Sequence, residues 1–232
     1  MNYLIHVIQT LSQVNGRTIY KNMDNYELIE MLYKLFVGRR DVIAQKHPYG
    51  YAPICKNAHT ELCPKMRNLR AKCKGCKSKK YSPVTDQLLN DHINGRITLG
   101  TYPLFKNNTC KFVVADFDKH DKDLDNMNID PYHDAYAYLK ECIDNGFPAY
   151  ALKSQSGNGY HIYIFFETRI PAWKAIKIAE HLLEEAGVDR KTSSFDKFIP
   201  TKGELKSDDA LGSLIALPFQ GGKMENGNTI LC

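Results

Sequence analysis

The spacing of hydrophobic residues along the chain predicts a mixed α/β fold. Apolar positions recur every three or four residues, as on one face of a helix, over five segments: 1–14, 24–37, 83–94, 130–145 and 171–186. Short apolar runs bounded by turn residues predict strands over five others: 99–105, 109–117, 149–154, 160–167 and 214–219. Helices and strands alternate in the centre of the chain, and we expect an α/β core there.

Two of the predicted strand connections are short enough to be hairpin turns. Residues 106–108, with the sequence Lys-Asn-Asn, separate the first two strands. Residues 154–161 separate the third and fourth strands and contain Asn158-Gly159, a dipeptide that strongly favours a hairpin turn. We therefore predict a hairpin at each of these two places.

The chain divides into three regions by composition. Residues 47–82 are rich in Pro, Cys, Lys and Gly and show no hydrophobic period, which is typical of a small module without a core of its own. We expect residues 1–46 to form an N-terminal helical region and residues 83–232 to form the main core. The chain ends soon after the last predicted strand, so we expect it to be part of a longer protein.

Four of the seven cysteines lie in the small module and are spaced like metal ligands. They follow the pattern C-x7-C-x9-C-x2-C, and the final C-x2-C is the usual half of a zinc site: Cys55, Cys63, Cys73 and Cys76. A segment without a hydrophobic core needs a cross-link to become ordered, and in a reducing cytosol a bound metal ion provides that cross-link in place of a disulfide. We therefore predict a four-cysteine zinc site, which is either purely structural or also faces nucleic acid.

The charges of the chain are separated into a basic and an acidic segment. The formal net charge is +5; residues 62–80 carry eight basic residues and no acidic one, whereas residues 116–134 carry seven aspartates. This separation suits a phosphate-bearing substrate held by metal ions. The residues predicted to contact nucleic acid are Lys65, Arg67, Arg70, Lys72 and Lys74. No apolar run is long enough to span a membrane and the first residues lack the features of a secretory signal, so we expect a cytoplasmic protein.

Asp116 and Asp118 follow an apolar run and are the strongest indication of chemistry in the sequence. Side chains two residues apart on a strand lie on one face, so both carboxylates are expected to point the same way, with Phe117 in the core. Two such carboxylates repel each other unless a cation lies between them, and Mg²⁺ prefers oxygen ligands. The pattern also fits solvated aspartates at a strand end, or the metal pair of a nucleotide-sugar transferase.

Two further segments carry residues suited to phosphate chemistry. In the turn between the third and fourth strands, Gly157 and Gly159 allow backbone N–H groups to approach a phosphate, while Ser156 and His161 add a hydroxyl and an imidazole. An ordinary hairpin with a core histidine has the same pattern. Asp196 lies between apolar residues, which by itself indicates a helix cap or a turn. The residues alone therefore predict a metal-dependent enzyme that acts on phosphates, with nucleic acid as partner.

Taken together, these segments resemble the archaeo-eukaryotic primase superfamily, whose motifs are Asp-h-Asp, Ser-x-His or a longer variant, and an apolar-flanked Asp, where h is hydrophobic. They correspond to residues 116–118, 156–161 and 195–196, in the same order. The resemblance is closest to the branch found in TOTE conflict systems and in CRISPR-associated primase-polymerases. The other segments that resemble this branch are residues 36–42, 50–55, 100–104, 116–121 and 214–221.

The resemblance implies an α/β (α+β) catalytic core with an RNA-recognition-motif-like sheet, beside a small four-cysteine zinc module. Asp116, Asp118 and Asp196 would bind two Mg²⁺ or Mn²⁺ ions for nucleotidyl transfer. The residues implied in nucleotide binding are Ser156, Gly157, Gly159, His161 and Lys197. The family usually has Arg at the position of Lys197, a difference that concerns the nucleotide contacts and not the metal site.

The implied activity is that of a primase-polymerase, which starts and extends short primers from NTPs or dNTPs on a single-stranded DNA or RNA template. Helicase, nuclease or Cas1-type integrase domains would be its neighbours in the full-length protein or operon. Two alternatives use the same residues. One is a metal-dependent nuclease or phosphodiesterase, and the other is a zinc-stabilised module that only binds single-stranded nucleic acid.

Overall fold

The computed structural model of the chain describes residues 23–68, 70–73, 75–119 and 129–231. Within these ranges the α-helices are α1 (Asn25–Met31), α2 (Asp86–Ile93), α3 (Pro131–Asp144), α4 (Ala172–Glu185) and α5 (Gly221–Met224). A π-helical turn (Leu32–Phe36) extends α1, and a 3-10 turn (Pro64–Met66) lies among the cysteines. Four of the predicted helices are confirmed, and the one predicted over residues 1–14 lies outside the described residues. None of the helices in the described ranges has the length and apolar character needed to cross a membrane.

Side-chain caps fix where the first three helices begin. At α1, Asp24 accepts the N–H of Glu27 and the Glu27 carboxylate accepts the N–H of Asp24, which forms a capping box. Thr85 caps α2 by accepting the N–H of Leu88, and Asp130 caps α3. Each cap satisfies N–H groups that have no partner inside the helix.

The strands form two antiparallel four-stranded sheets in the described part of the chain. In chain order they are β1 (Ala44–His47), β2 (Gly50–Pro53), β3 (Leu99–Thr101), β4 (Thr109–Phe117), β5 (Ala149–Lys153), β6 (Tyr160–Pro171), β7 (Phe195–Ile199) and β8 (Ile215–Ala216). The first sheet has the strand order β2-β1-β3-β8, and the second has the order β5-β6-β4-β7. The hydrophobic pattern of the sequence predicted none of the strands β1, β2 and β7.

The second sheet and helices α3 and α4 form the RNA-recognition-motif-like unit. Their order along the chain, β4-α3-β5-β6-α4-β7, is a βαββαβ arrangement, and both helices pack on one face of the sheet. This confirms the mixed α+β fold and the hairpin between β5 and β6, in which Lys153 pairs with Tyr160. The tight turn predicted at residues 106–108 is present, with the N–H of Phe105 donating to Thr109 O and the N–H of Asn108 donating to Phe105 O (both 2.9 Å). It does not pair β3 with β4, which belong to different sheets. The apolar run after β3 stays buried without strand pairing, as at Tyr102 and Leu104, so its hydrophobicity reflects the core and not a longer strand.

Hydrophobic residues cover both faces of the second sheet. In β4, Val113 and Phe117 pack with α3 and α4, whereas Phe112 and Val114 pack with α1 and the first sheet. This double burial explains why the β4 sequence is apolar without alternation. Phe36 sits between the sheets, with its ring edge-on to the ring of Phe165 and to other aromatic rings. A polar residue at the end of β4 therefore needs polar partners nearby.

The family-like segment of residues 36–42 has a packing role. A Cβ at Gly38 would lie 2.3 Å from the backbone oxygen of Tyr102, so glycine allows two chain segments to touch there. The Arg39 guanidinium is buried, forms a 2.7 Å ion pair with Asp41 and donates to the carbonyl of Ala210 (3.2 Å). The segment therefore ties α1 to the first sheet and to the loop after β7.

His92 of α2 is fully buried and links its helix to the first sheet. Its Nδ1 accepts the N–H of Leu99 (3.1 Å), so its Nε2 donates to the carbonyl of Pro218 (2.9 Å). Burial lowers the pKa of His92 to about 4, although the hydrogen bond to Pro218 acts in the opposite direction. The fold therefore contains the neutral imidazole.

We expect the protein to lose stability as the pH falls from about 6.5 towards 4, because of His92. In this window the unfolded chain protonates His92, whose ordinary pKa is about 6.5, and the folded chain does not. The pKa difference corresponds to about 3 kcal/mol in the free energy of unfolding. Urea unfolding at pH 7 and at pH 4.5 measures this loss, and His92→Gln should lack it. An unchanged pH dependence in His92→Gln would contradict the role given to His92.

Candidate active site

Asp116 lies near the end of β4, between residues of both neighbouring strands. It pairs in register with His161 of β6 and with Lys197 of β7. Asp116 Oδ1 is 3.3 Å from His161 Nε2, and Asp116 Oδ2 is 3.8 Å from Lys197 Nζ. Residues opposite one another in a sheet point to the same face. The register therefore brings three residues that are distant in sequence into one row, on the face that looks towards the first sheet.

Asp196 occupies a β-bulge of β7. Lys197 pairs with Asp116 and Phe195 pairs with Phe117, so β7 has one residue more than β4 at this point. An extra residue bends the strand and redirects its side chains. Lys197 Nζ donates to the Asp196 carboxylate, and the bulge thus lets Asp196 join the group around Asp116.

Asp118 follows β4 directly and is held by neighbouring backbone segments. Its N–H donates to the carbonyl of Ser194 (2.9 Å), and its Oδ1 accepts the N–H of Lys119 (3.0 Å). Gly159 approaches so closely that a Cβ there would lie 2.3 Å from the carbonyl oxygen of Phe117 and 3.0 Å from Asp118 Oδ1. The turn between β5 and β6 therefore packs directly against Asp118.

Hydrogen bonds inside this turn use the backbone groups that we expected to face a phosphate. The N–H of Gly157 donates to Ser154 O (3.2 Å), and the N–H of Gly159 donates to Ser154 Oγ (3.1 Å). The exposed Ser156 hydroxyl contacts Ser154 Oγ (2.9 Å) and accepts the N–H of Asn158 (3.2 Å). Side chains of the turn, and not these two N–H groups, are thus the groups that are placed to meet a ligand.

The Lys197 ammonium experiences the charge of all three carboxylates. Partial burial lowers the pKa of Lys197, but the hydrogen bond to Asp196 and the charges of Asp116, Asp196 and Asp118 outweigh it, and the pKa lies above its ordinary value. The three acidic residues predicted as metal ligands therefore lie close enough together to act on one cation. Lys197 offsets the repulsion among them.

The donor chemistry of this strand end suits a hard divalent cation. Carboxylate oxygens are the ligands that Mg²⁺ and Mn²⁺ prefer in proteins. Here the Lys197 ammonium pairs with Asp116 and Asp196, and the charge of Asp118 acts on it as well. In the part of the chain that the structure describes, no three His, Cys, Asp or Glu side chains converge into a complete metal site. The carboxylates instead share the ammonium of Lys197 as their cation.

The four cysteines of the predicted zinc site lie in turns between β2 and α2. Cys55 forms an isolated bridge with Tyr81, and its Sγ accepts the N–H of Lys80 (3.4 Å). Cys73 and Cys76 enclose a turn in which the N–H of Cys76 donates to Cys73 O (3.2 Å). All four thiols are free of disulfides. Within the described ranges they do not converge into a metal site either, so the structure does not support the zinc module.

The basic residues predicted to contact nucleic acid lie on the surface of the same region. Lys65 belongs to the 3-10 turn, and Arg67, Arg70 and Lys72 are likewise exposed. Lys74 lies outside the described residues. A different basic residue, Lys79, points back to the fold, where its Nζ lies 3.5 Å from the Asp209 carboxylate.

Residues that the sequence analysis did not single out complete the surroundings of His161. Gln155 Oε1 accepts hydrogen bonds from Lys46 Nζ (3.3 Å) and from the hydroxyl of Tyr51 (3.3 Å). Lys46 is in β1 and Tyr51 is in β2, and the two residues precede Gln155 by 109 and 104 positions in the sequence. No motif of the sequence connects these residues, and only the contact between the two sheets reveals them.

The general class of the protein, a nucleotidyltransferase of the primase and polymerase type, follows from the family to which the chain belongs. Residues 27–232 match the archaeo-eukaryotic primase domain of TOTE conflict systems, and the chain belongs to this family. The resemblance seen in the sequence is thereby confirmed. A comparison with curated proteins finds no match.

Among solved structures, the chain is similar to the polymerase domain of ligase D from Mycobacterium tuberculosis, in a complex with DNA. The TM-score is 0.44 at 12% sequence identity, and the similarity covers 89% of this chain and 80% of that chain.

Proposed function

We propose that this chain is the catalytic domain of a primase-polymerase that starts and extends short primers from NTPs or dNTPs on a single-stranded DNA or RNA template. The observation that carries the proposal is the grouping of Asp116, Asp118 and Asp196 around Lys197 in a domain of the primase family. Nucleotidyl transfer depends on positioning and on charge stabilisation more than on a protein nucleophile. Carboxylates and cations side by side suit this chemistry.

Asp116, Asp118 and Asp196 are the proposed ligands of two Mg²⁺ or Mn²⁺ ions. When bound, the ions would activate the attacking 3′-hydroxyl and neutralise charge on the triphosphate and the leaving pyrophosphate. His161 contacts Asp116 (3.3 Å) and would keep that carboxylate oriented. Lys197 would exchange its carboxylate contacts for a phosphate oxygen of the bound nucleotide, because its flexible stem reaches in either direction.

The Ser156 hydroxyl and the His161 imidazole are the proposed contacts to the triphosphate. Ser156 lies at the exposed tip of the turn that packs against Asp118. Gly157, with a φ of 84°, and Gly159, pressed against the strand end, would act by shaping this turn. Their side-chain-free backbone would hold Ser156 towards the carboxylates without blocking the approach of a nucleotide.

The first test is primer synthesis on unprimed single-stranded DNA with labelled nucleotides and Mn²⁺. Short labelled products are expected from the unchanged protein and not from the double variant Asp116→Ala/Asp118→Ala. If neither an unprimed nor a primed template yields product, the polymerase activity is refuted for this chain. Shortening of the nucleic acid without added nucleotides would indicate hydrolysis by the same carboxylates. Salt-dependent binding that the double variant retains, without any reaction, would indicate a binding module.

Zinc at Cys55, Cys63, Cys73 and Cys76 is a separate proposal, with the neighbouring basic residues as contacts to the template backbone. The N–H contact to the Cys55 sulfur and the tight turn of Cys73 and Cys76 support it, because both resemble features of zinc knuckles. Metal analysis is expected to find about one zinc per chain. The variant Cys73→Ser/Cys76→Ser should lose the metal, whereas Cys232→Ser should keep it. A zinc-free protein, or equal zinc in both variants, would refute the site.

A further inference from the structure

A narrow cleft lies beside His161, where the two sheets meet. It is bounded on one side by β5, the turn that follows and β6, and on the other by the end of β8 and residues that follow it. The free volume is about 10 Å³, which is close to the room that one water-sized group requires. Because His161 contacts Asp116, the cleft is one side chain away from the candidate active site.

Gln155 lines this cleft and carries a hydrogen-bond donor that the fold does not use. Its Oε1 accepts hydrogen bonds from Lys46 and Tyr51, so the Nε2 end of the amide is determined. Burial raises the pKa of Tyr51 to about 12, and its hydroxyl therefore remains a donor. Gln155 Nε2 is buried and has no hydrogen-bond partner among the described residues. The side-chain amide of Gln155 is thus fixed through its Oε1, whereas its Nε2 donates no hydrogen bond to the described residues.

Thr229 brings a second unused polar group to the same cleft. The residue is 4% exposed, and its Oγ1 has no partner within the described ranges. Its φ is 59°, which a β-branched residue rarely adopts. The backbone is held in this conformation from both sides, because the N–H donates to Lys153 O (3.0 Å) and the carbonyl accepts the N–H of Phe219 (2.8 Å). None of these backbone contacts needs the threonine hydroxyl.

We propose that Gln155 and Thr229 form a subsite for a sugar hydroxyl of the bound nucleotide, which makes the protein selective for the sugar of its substrate. A hydroxyl both donates and accepts, so one such group satisfies Gln155 Nε2 and Thr229 Oγ1 together. A base or a phosphate is too large for the space, and a metal ion does not suit an amide donor. The proposal rests on the proposed function for the identity of the ligand, and it concerns binding and not the transfer step.

Equilibrium binding of ATP, 2′-deoxy-ATP and 3′-deoxy-ATP, with Mn²⁺ and without template, tests the subsite. We expect the unchanged protein to lose about tenfold in affinity when the recognised hydroxyl is removed. Gln155→Met and Thr229→Val keep side-chain volume but remove the polar group. Both variants should bind ATP with the lower affinity that the unchanged protein has for the discriminated deoxy analogue. Their affinity for that deoxy analogue should equal that of the unchanged protein. Thr229→Ser keeps the hydroxyl and should keep the discrimination.

The outcomes separate this proposal from the proposed function. Sensitivity to the 2′- or the 3′-hydroxyl, lost in the two variants, supports the subsite and identifies the hydroxyl, even if the protein makes no primer. Primer synthesis together with equal affinity for all three nucleotides overturns the subsite and leaves the polymerase intact. Equal weakening of all three nucleotides in the variants, or no nucleotide binding at all, also overturns it. Thermal unfolding of each variant shows that a loss of affinity does not come from a loss of fold.

Discussion

Replacing Asp196 with asparagine is expected to lower the rate of primer synthesis by a factor on the order of 10³, equivalent to about 4 kcal/mol of transition-state stabilisation. Asparagine has the same size and can still accept a hydrogen bond from Lys197, but it removes one of three negative charges around that cation. A divalent ion held by three carboxylates loses both a ligand and a large part of its electrostatic attraction.

Incorporation of labelled nucleotide on a primed template measures this effect, and titration with Mn²⁺ measures the accompanying loss of metal affinity. Asp144→Asn on α3 is the matched control, since it removes an aspartate that pairs with Lys140 at the surface. The control should retain full activity and the same thermal stability as the unchanged protein. Activity of Asp196→Asn within tenfold of the unchanged protein would exclude Asp196 as a metal ligand.

The residues alone predicted that the carboxylates of Asp116 and Asp118 lie on one face, but they did not predict that Asp196 lies beside them. Asp116 and Asp118 follow an apolar strand, and their spacing on it is a local property that the residues alone express. Asp196 reaches the same place through a bulge in β7, a strand that the hydrophobic pattern did not predict. Only the resemblance to the primase family connected it with the other two, and the structure supplies the physical reason.

For the fold as well, the hydrophobic pattern predicted local elements but not the pairing of strands that are distant in sequence. Helices α1 to α4 and strands β4 to β6 follow from periodicity and turn residues, because each is set by contacts that are close in sequence. The first sheet does not, since its strands are short and pair across long sequence separations, as β3 does with β8. For the same reason the sequence did not reveal the cleft, where Gln155 of the second sheet meets Lys46 and Tyr51 of the first.

Replacing Gly159 with alanine is expected to impair both stability and activity, although the change adds only one methyl group. The new Cβ would lie 2.3 Å from the carbonyl oxygen of Phe117 and 3.1 Å from the Cα of Asp118. Both are backbone atoms, so the turn or the end of β4 has to move. We expect a loss of about 2 kcal/mol in the free energy of unfolding. Displacement of Asp118 should lower primer synthesis by a factor of about 10².

Gly222→Ala is the matched control for this substitution, because a Cβ at Gly222 would meet its nearest neighbour, Gln220 Oε1, at an ordinary 3.7 Å. Urea unfolding and primer extension should leave this control unchanged within error. If Gly159→Ala behaves like the control in both assays, the close packing of the turn on the strand end does not position Asp118. If it loses stability but keeps full activity in its folded fraction, the contact is structural only. Loss of activity at a temperature where the variant is fully folded is the result that ties the glycine to the placement of the carboxylate.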